Sequence, residues 1–140
     1  MLLKTALICL AMNVYHEARD QSTVGQIAVA QVVINRVNDS RYPDSVCKVV
    51  KQSLKDENGL PIKDKCQFSW YCDGASDKVH EKEAWKKSLL VAKSVLHGKT
   101  TNLVGISTHY HADSVYPYWA KKYKRIAKID DHIFYEWSKK

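Results

Sequence analysis

The chain has few of the residues that loosen or punctuate a fold, with five Gly and three Pro in 140 residues. That scarcity excludes collagen-like, low-complexity and disordered classes. No apolar run approaches the roughly 20 residues of a membrane-spanning helix, so an integral membrane protein is not expected. The four cysteines, Cys9, Cys47, Cys66 and Cys72, form no Cys-x-x-Cys pair and no zinc-finger spacing. Acidic residues are also short: 15 Asp and Glu stand against 22 Lys and Arg, a net charge of +7. An anionic partner is therefore expected, whether nucleic acid, a membrane surface or an acidic cell wall polymer.

What is present is enough apolar sequence, 45% of residues, to build one core, and residues 1–140 are read as a single domain. Residues 1–14, with Lys4 before an apolar stretch, overlap the length of a signal-peptide core. They run without a polar break into Tyr15-His16-Glu17-Ala18-Arg19, so the expectation is a first core helix and no signal peptide. Cys9, set among apolar residues, is expected to be a buried thiol. A bridge from Cys47 to Cys66 or Cys72 would close a loop of roughly twenty residues and contribute about 3 kcal/mol, provided the compartment is oxidising.

Leu3, Leu7, Leu10, Val14 and Ala18 recur at three- and four-residue steps, which predicts a helix ending near Arg19 with Glu17 in its last turn. Thr23-Val24-Gly25-Gln26 has the form of a capping box. The helix behind it carries the stripe Ile27, Ala30, Ile34 and Val37. Asp44 or Ser45 can cap a shorter helix reaching about Leu54, and residues 55–65 read as a surface loop. Residues 66–71 read as an aromatic strand entering the Asp73-Gly74 turn. A helix from about Asp77 should stop at Gly98, followed by an alternating strand at residues 108–112, one helical turn at 117–122 and a short extended piece at 133–135. The sum is α+β, mainly helical, rather than a parallel α/β sheet.

A carboxylate near the end of an apolar helix invites explanation, because Glu is seldom buried without a partner. Desolvation would raise the Glu17 pKa, as a general acid near neutral pH requires. An exposed glutamate paired with a cation would carry no such meaning. The segment Cys9-Leu10-Ala11-Met12-Asn13-Val14-Tyr15-His16-Glu17-Ala18-Arg19, followed by Gly25-Gln26-Ile27-Ala28-Val29-Ala30-Gln31-Val32-Val33-Ile34-Asn35-Arg36-Val37, resembles the opening of the SleB-type cell wall hydrolases. That family includes the catalytic domains of spore-cortex-lytic enzymes and related phage endolysins. Three later blocks agree in order: Cys66-Gln67-Phe68-Ser69-Trp70 with Asp73-Gly74, Thr108-His109-Tyr110-His111-Ala112, and His132-Ile133-Phe134-Tyr135.

The resemblance implies a lysozyme-like α+β fold with a small sheet or hairpin, acting on peptidoglycan glycan strands with Glu17 as the catalytic acid. It also implies a lytic transglycosylase, because no second carboxylate is comparably placed. Asp20 stands where similar sequences carry Gly, and so does Asp130. Asp73 is the better second candidate, in a setting that is first a turn signal. A hydrolytic muramidase using a second carboxylate is the alternative. No metal or other cofactor is required.

Sugar binding asks for aromatic faces, which Phe68, Trp70, Tyr71, Tyr110, Tyr116, Tyr118 and Trp119 could supply, beside polar groups such as Gln67, Ser69 and Thr108. Ser69, Tyr110, Phe68, Trp70, His111 and Asp73 are the candidate substrate contacts, with Ser69 and Tyr110 foremost. Strand alternation would set Phe68 and Trp70 on one side and Gln67 and Ser69 on the other. His109 and His111, with His132 as a third ligand, could hold a metal for an amide hydrolase; hydrogen-bonding histidines near a cleft are the simpler reading. The basic stretches at 82–93 and 121–128 could bind nucleic acid but read first as solvated faces drawn to anionic envelope polymers. The expected setting is a monomeric phage endolysin, held in the host cytoplasm until it reaches the wall.

Overall fold

Four α-helices and five strands make up the residues that the computed structural model describes, 2–139. Helix α1, Leu2–Ala18, buries Leu10, Val14 and Ala18 completely, as their spacing predicts; the side chain of Leu3 lies outside the described residues. Helix α2, Thr23–Val37, is capped one residue earlier than the Thr23 motif suggests. Ser22 is extended, and its hydroxyl accepts from the Gly25 N–H at 3.2 Å. Glycine is required at position 25, since a Cβ there would run into the Asp130 carboxylate.

The stripe expected on α2 is only partly buried at Ile27, Ile34 and Val37, whereas Ala28, Val29, Ala30, Val32 and Val33 are fully enclosed. The reason is that α2 is central. One side packs with Leu10, Val14, Val49, Val91 and Ala92, the other with Ala18, Val104 and Phe134. A helix covered on two sides loses the one-sided pattern by which helices are read.

Ser45 caps α3, Val46–Val50, which ends well before Leu54. The stretch expected as a loop is a hairpin of β1, Ser53–Lys55, and β2, Pro61–Cys66. Its turn is closed by the Asp56 carboxylate, which accepts from the N–H groups of Asn58 and Leu60. Two disulfides correct the cysteine expectations. Cys9 is bonded to Cys47, tying α1 to α3, and Cys66 to Cys72. By chain-entropy arguments the first contributes about 4 kcal/mol and the second about 2 kcal/mol. The short bridge also explains why residues 66–71 are not a strand. Its Cα atoms are 6.0 Å apart, while an extended run of that length would span about 20 Å. Residues Ser69–Tyr71 form a 3₁₀ turn instead.

Helix α4, Lys82–Leu96, starts later than Asp77, and Gly98, at φ 66°, follows its end. Its N-terminus borrows a cap from α1, because the Tyr15 hydroxyl accepts from the N–H groups of His80 and Glu81 at 3.2 and 3.1 Å. Strands β3, His109–Ala112, β4, Tyr123–Ile129, and β5, His132–Lys139, form an antiparallel sheet in the order β3-β5-β4. Strand β4 runs through the second basic stretch, whose Lys121, Lys122, Lys124, Arg125 and Lys128 are exposed, in keeping with a solvated face. Asp130, in the β4–β5 turn, has φ 51°, a left-handed conformation that favours glycine. Its carboxylate accepts from the N–H and hydroxyl of Ser22 at 2.9 and 2.6 Å, fastening the turn to the start of α2. The α+β class, mainly helical with small antiparallel sheets, is the one expected.

Candidate active site

Glu17 lies in the last turn of α1, between the enclosed Val14 and Ala18. The Tyr110 hydroxyl, reaching in from β3, donates to Glu17 Oε1. Arg36 enters from α2. Its Nε donates to the Thr108 carbonyl at 2.8 Å, and its guanidinium lies 5.0 Å from the ring centres of both Tyr42 and Phe68. Burial pushes the Glu17 carboxyl above its ordinary pKa; the Tyr110 hydrogen bond and the Arg36 charge pull the other way without cancelling it. Burial and the Glu17 charge push the Tyr110 phenol well above its ordinary range, so it remains a donor. The helix end thus presents an acid that holds its proton to higher pH, with one oxygen fixed by a tyrosine.

In front of it is a cavity of about 550 Å³ between the end of α1 and the start of α4, lined by His16, Glu17, Arg19, Asp20, Glu81 and Ala84. Arg19 pairs with Glu81 at 2.5 Å and lies over the Tyr15 ring. His16 forms a side wall, stacked on Trp70 at 4.5 Å, and its Nε2–H donates to the Asp77 carbonyl. One turn before Glu17, the buried Asn13 accepts from the Trp70 indole N–H at 2.9 Å. Trp70 therefore backs the Glu17 end of α1 from behind.

Of the residues singled out from sequence, Glu17 and Tyr110 are brought together. Phe68 is 2% exposed beneath Arg36, Trp70 is likewise mostly interior, and neither lines the cavity at Glu17. The expected sorting of residues 67–70 survives without a strand: Gln67 and Ser69 are exposed, Phe68 and Trp70 are not. Ser69 does not line the cavity. Asp73 is exposed, and its carboxylate accepts from the Ala75 N–H, which makes it a turn residue. Asp20, set aside on sequence, is the one that lines the cavity.

His111 lies on the opposite face of β3 from Tyr110. Its Nδ1–H donates to the Ala112 carbonyl at 2.7 Å, so Nε2 accepts from the Tyr135 hydroxyl at 2.8 Å. His109 shares that face with Trp119, Tyr123 and Trp137. Burial and the nearby charges of Arg36 and Arg41 lower its pKa to about 4. His132 stands on the Tyr110 side, ring centres 5.1 Å apart. The proposed metal set of His109, His111 and His132 is therefore divided between two faces of one sheet and does not converge. Sequence reasoning missed Arg36 and Asn13. Arg36 had a signal, a charged residue in register with Val29, Val32 and Val33 on an apolar helix.

A family model described as Cell Wall Hydrolase matches residues 20–135. The chain belongs to the cell wall hydrolase family. The matched span opens three residues after Glu17, so the acid itself lies just outside it. A spore cortex-lytic enzyme of Halalkalibacterium halodurans is 30% identical over 125 residues, covering 89% of this chain and 33% of that protein. One from Bacillus subtilis is 44% identical over 45 residues, 32% of this chain and 15% of its own length. The match thus covers about a third of the first relative's length and less of the second's. Among solved structures, the catalytic domain of the germination-specific lytic transglycosylase SleB from Bacillus anthracis superposes with a TM-score of 0.66 at 26% identity, over 94% of this chain and 93% of that one. The catalytic domain of Bacillus cereus SleB gives 0.65 at 24%, over 95% and 91%. The architecture of this cell wall hydrolase family member is that of the SleB catalytic domains.

Proposed function

We propose that the chain cleaves peptidoglycan glycan strands as a lytic transglycosylase, with Glu17 as its acid and then its base. The observation that carries this reading is the Glu17 carboxyl, poorly hydrated at a helix end, anchored by Tyr110 and facing a cavity. With Oε1 held, the other oxygen is free to deliver a proton to the oxygen between N-acetylmuramic acid and N-acetylglucosamine, which departs as an alcohol. The carboxylate so formed takes the proton of the muramic C6 hydroxyl. That oxygen bonds to the anomeric carbon, leaving a 1,6-anhydro end and consuming no water. Tyr110 is a positioning residue in this scheme. With its pKa raised, Glu17 holds its proton to higher pH for delivery to the leaving oxygen.

Asp20 gives the second reading its footing, since a further carboxylate in the same cavity could direct a water in hydrolysis. Glu17→Gln keeps the shape and removes the acid, and its rate of wall clearing should fall by about 10²- to 10⁴-fold. Clearing at the parental rate overturns the proposal. Mass spectrometry of the digested muropeptides should show anhydro ends; reducing ends alone would point to Asp20 and hydrolysis. The proposed setting is a phage lysis enzyme that gathers in the host cytoplasm and works at the wall. The two disulfides suit the second place better than the first.

A further inference from the structure

The aromatic side chains exposed among the described residues are Tyr116, Tyr118 and Trp137; Trp137 and Tyr116 belong to the face of the β3-β5-β4 sheet turned away from Glu17, and Tyr118 lies in the connection between β3 and β4 that borders it. Trp137 and Tyr116 stand against His109 and His111, whose side chains alternate with Tyr110 along β3. Tyr118 adjoins Trp119, which packs on both histidines from the turn at residues 113–122. Beneath these rings the floor is rigid, with Trp119 stacked on Tyr123 at 5.8 Å and an interplanar angle of 27°. Tyr116 and Tyr118 are 68% and 78% exposed, so most of each ring faces water although Tyr116 meets His111 edge-on and Lys122 stands over Tyr118.

Cations stand beside these rings. Lys122 Nζ lies 5.6 Å from the centre of Tyr118, and Arg125 is registered opposite Tyr135 on β5. Neither is ion-paired among the described residues. Arg41, over Trp137, is matched by Asp39, and the nearby Asp113 is matched by Lys128. The surplus charge of the face is therefore positive.

We propose that this outer face is a second glycan-binding surface, which holds a peptidoglycan strand without cleaving it. Pyranose rings would lie on Tyr116 and Tyr118, and carboxylates of the strand would meet Lys122 and Arg125. Single cations beside single rings suit a polymer with spaced carboxylates better than a nucleic acid, which carries a charge at every repeat. Anchored there, the chain would work at a raised local concentration of its insoluble substrate. The choice of occupant rests on the proposed activity at Glu17, and the experiment keeps the two apart.

Binding is measured by co-sedimentation with insoluble peptidoglycan stripped of secondary polymers, using Glu17→Gln protein so that nothing is digested. Adding Tyr116→Ser and Tyr118→Ser should weaken binding about tenfold. The same pair in the parental chain should leave kcat/KM on short soluble glycan fragments and the thermal transition unchanged. Lys122→Glu with Arg125→Glu should weaken sedimentation in the same direction. Binding within twofold of the parent overturns the proposal. So does an equal loss on soluble fragments, which would place the tyrosines in the catalytic cavity, or a loss confined to a single-stranded DNA probe. A chain that sediments through these residues yet cleaves nothing would keep the surface and remove the transglycosylase.

Discussion

Strand β3 is four residues long, and its two faces do opposite work. On the inner face Tyr110 points into the helical body and meets a single carboxyl. On the outer face His109 and His111 lie in a layer of rings with Trp119, Tyr123, Trp137 and Tyr135. Glu17 and His109 are both poorly hydrated, yet burial acts on groups of opposite kind. Glu17 is held toward its neutral acid and His109 toward its neutral base. What separates the inner face is the cavity that Glu17 lines; on the proposed function, that opening rather than dryness is what makes a reactive site.

The comparison breaks most readily at Arg36, which touches both faces. Arg36→Met removes the donor to the Thr108 carbonyl and the charge near Glu17, Tyr110 and His109. The expected loss is about 2–3 kcal/mol in denaturant unfolding. The Glu17 pKa should rise further, moving the alkaline limb of the wall-clearing profile to higher pH. An unmoved limb would show that the Arg36 charge does not reach the acid.

Tyr110→Phe sharpens the inner face alone. It removes the hydrogen bond that lowers the Glu17 pKa, so the alkaline limb should again move upward, with a stability cost of about 1 kcal/mol. Because the tyrosine fixes the acid rather than the sugar, kcat should fall more than KM changes. A pure rise in KM would instead make Tyr110 a substrate contact.

The third test belongs to the outer face. With a folded pKa of about 4 against an ordinary 6.5, His109 binds fewer protons folded than unfolded. Its contribution to stability is present above pH 6.5 and lost as pH falls through that window. His109→Gln should flatten the urea midpoint between pH 6.5 and 4, leaving the shallower slope that His132, also lowered by burial, supplies. Glu17 has the reverse sign: its raised pKa costs stability as pH climbs through it. A midpoint that stays as steep in the variant would relocate the titration away from His109.

Much of the inner face was legible because its signals are local. The three- and four-residue spacing of Leu7, Leu10, Val14 and Ala18 set Glu17 in a last helical turn, and alternation in 108–112 set His109 and His111 apart from Tyr110. Phe68, Trp70 and Asp73 were harder to place. Aromatic rings read alike whether they back a site or face a sugar, and an Asp-Gly turn reads alike near a cavity or far from it. Asp20 was passed over because a missing glycine says what backbone is unusual, not which cavity the side chain lines.

By itself the sequence determined the helix that carries the acid, the family pattern and the α+β class, since periodicity and ordered blocks act within short stretches of chain. Tertiary structure decided the partners. Tyr110 is 93 residues from Glu17, the Cys9–Cys47 bridge spans 38, and α2 is buried on two sides by elements that come both before and after it. Contacts across such separations depend on how whole elements pack, which no local pattern encodes.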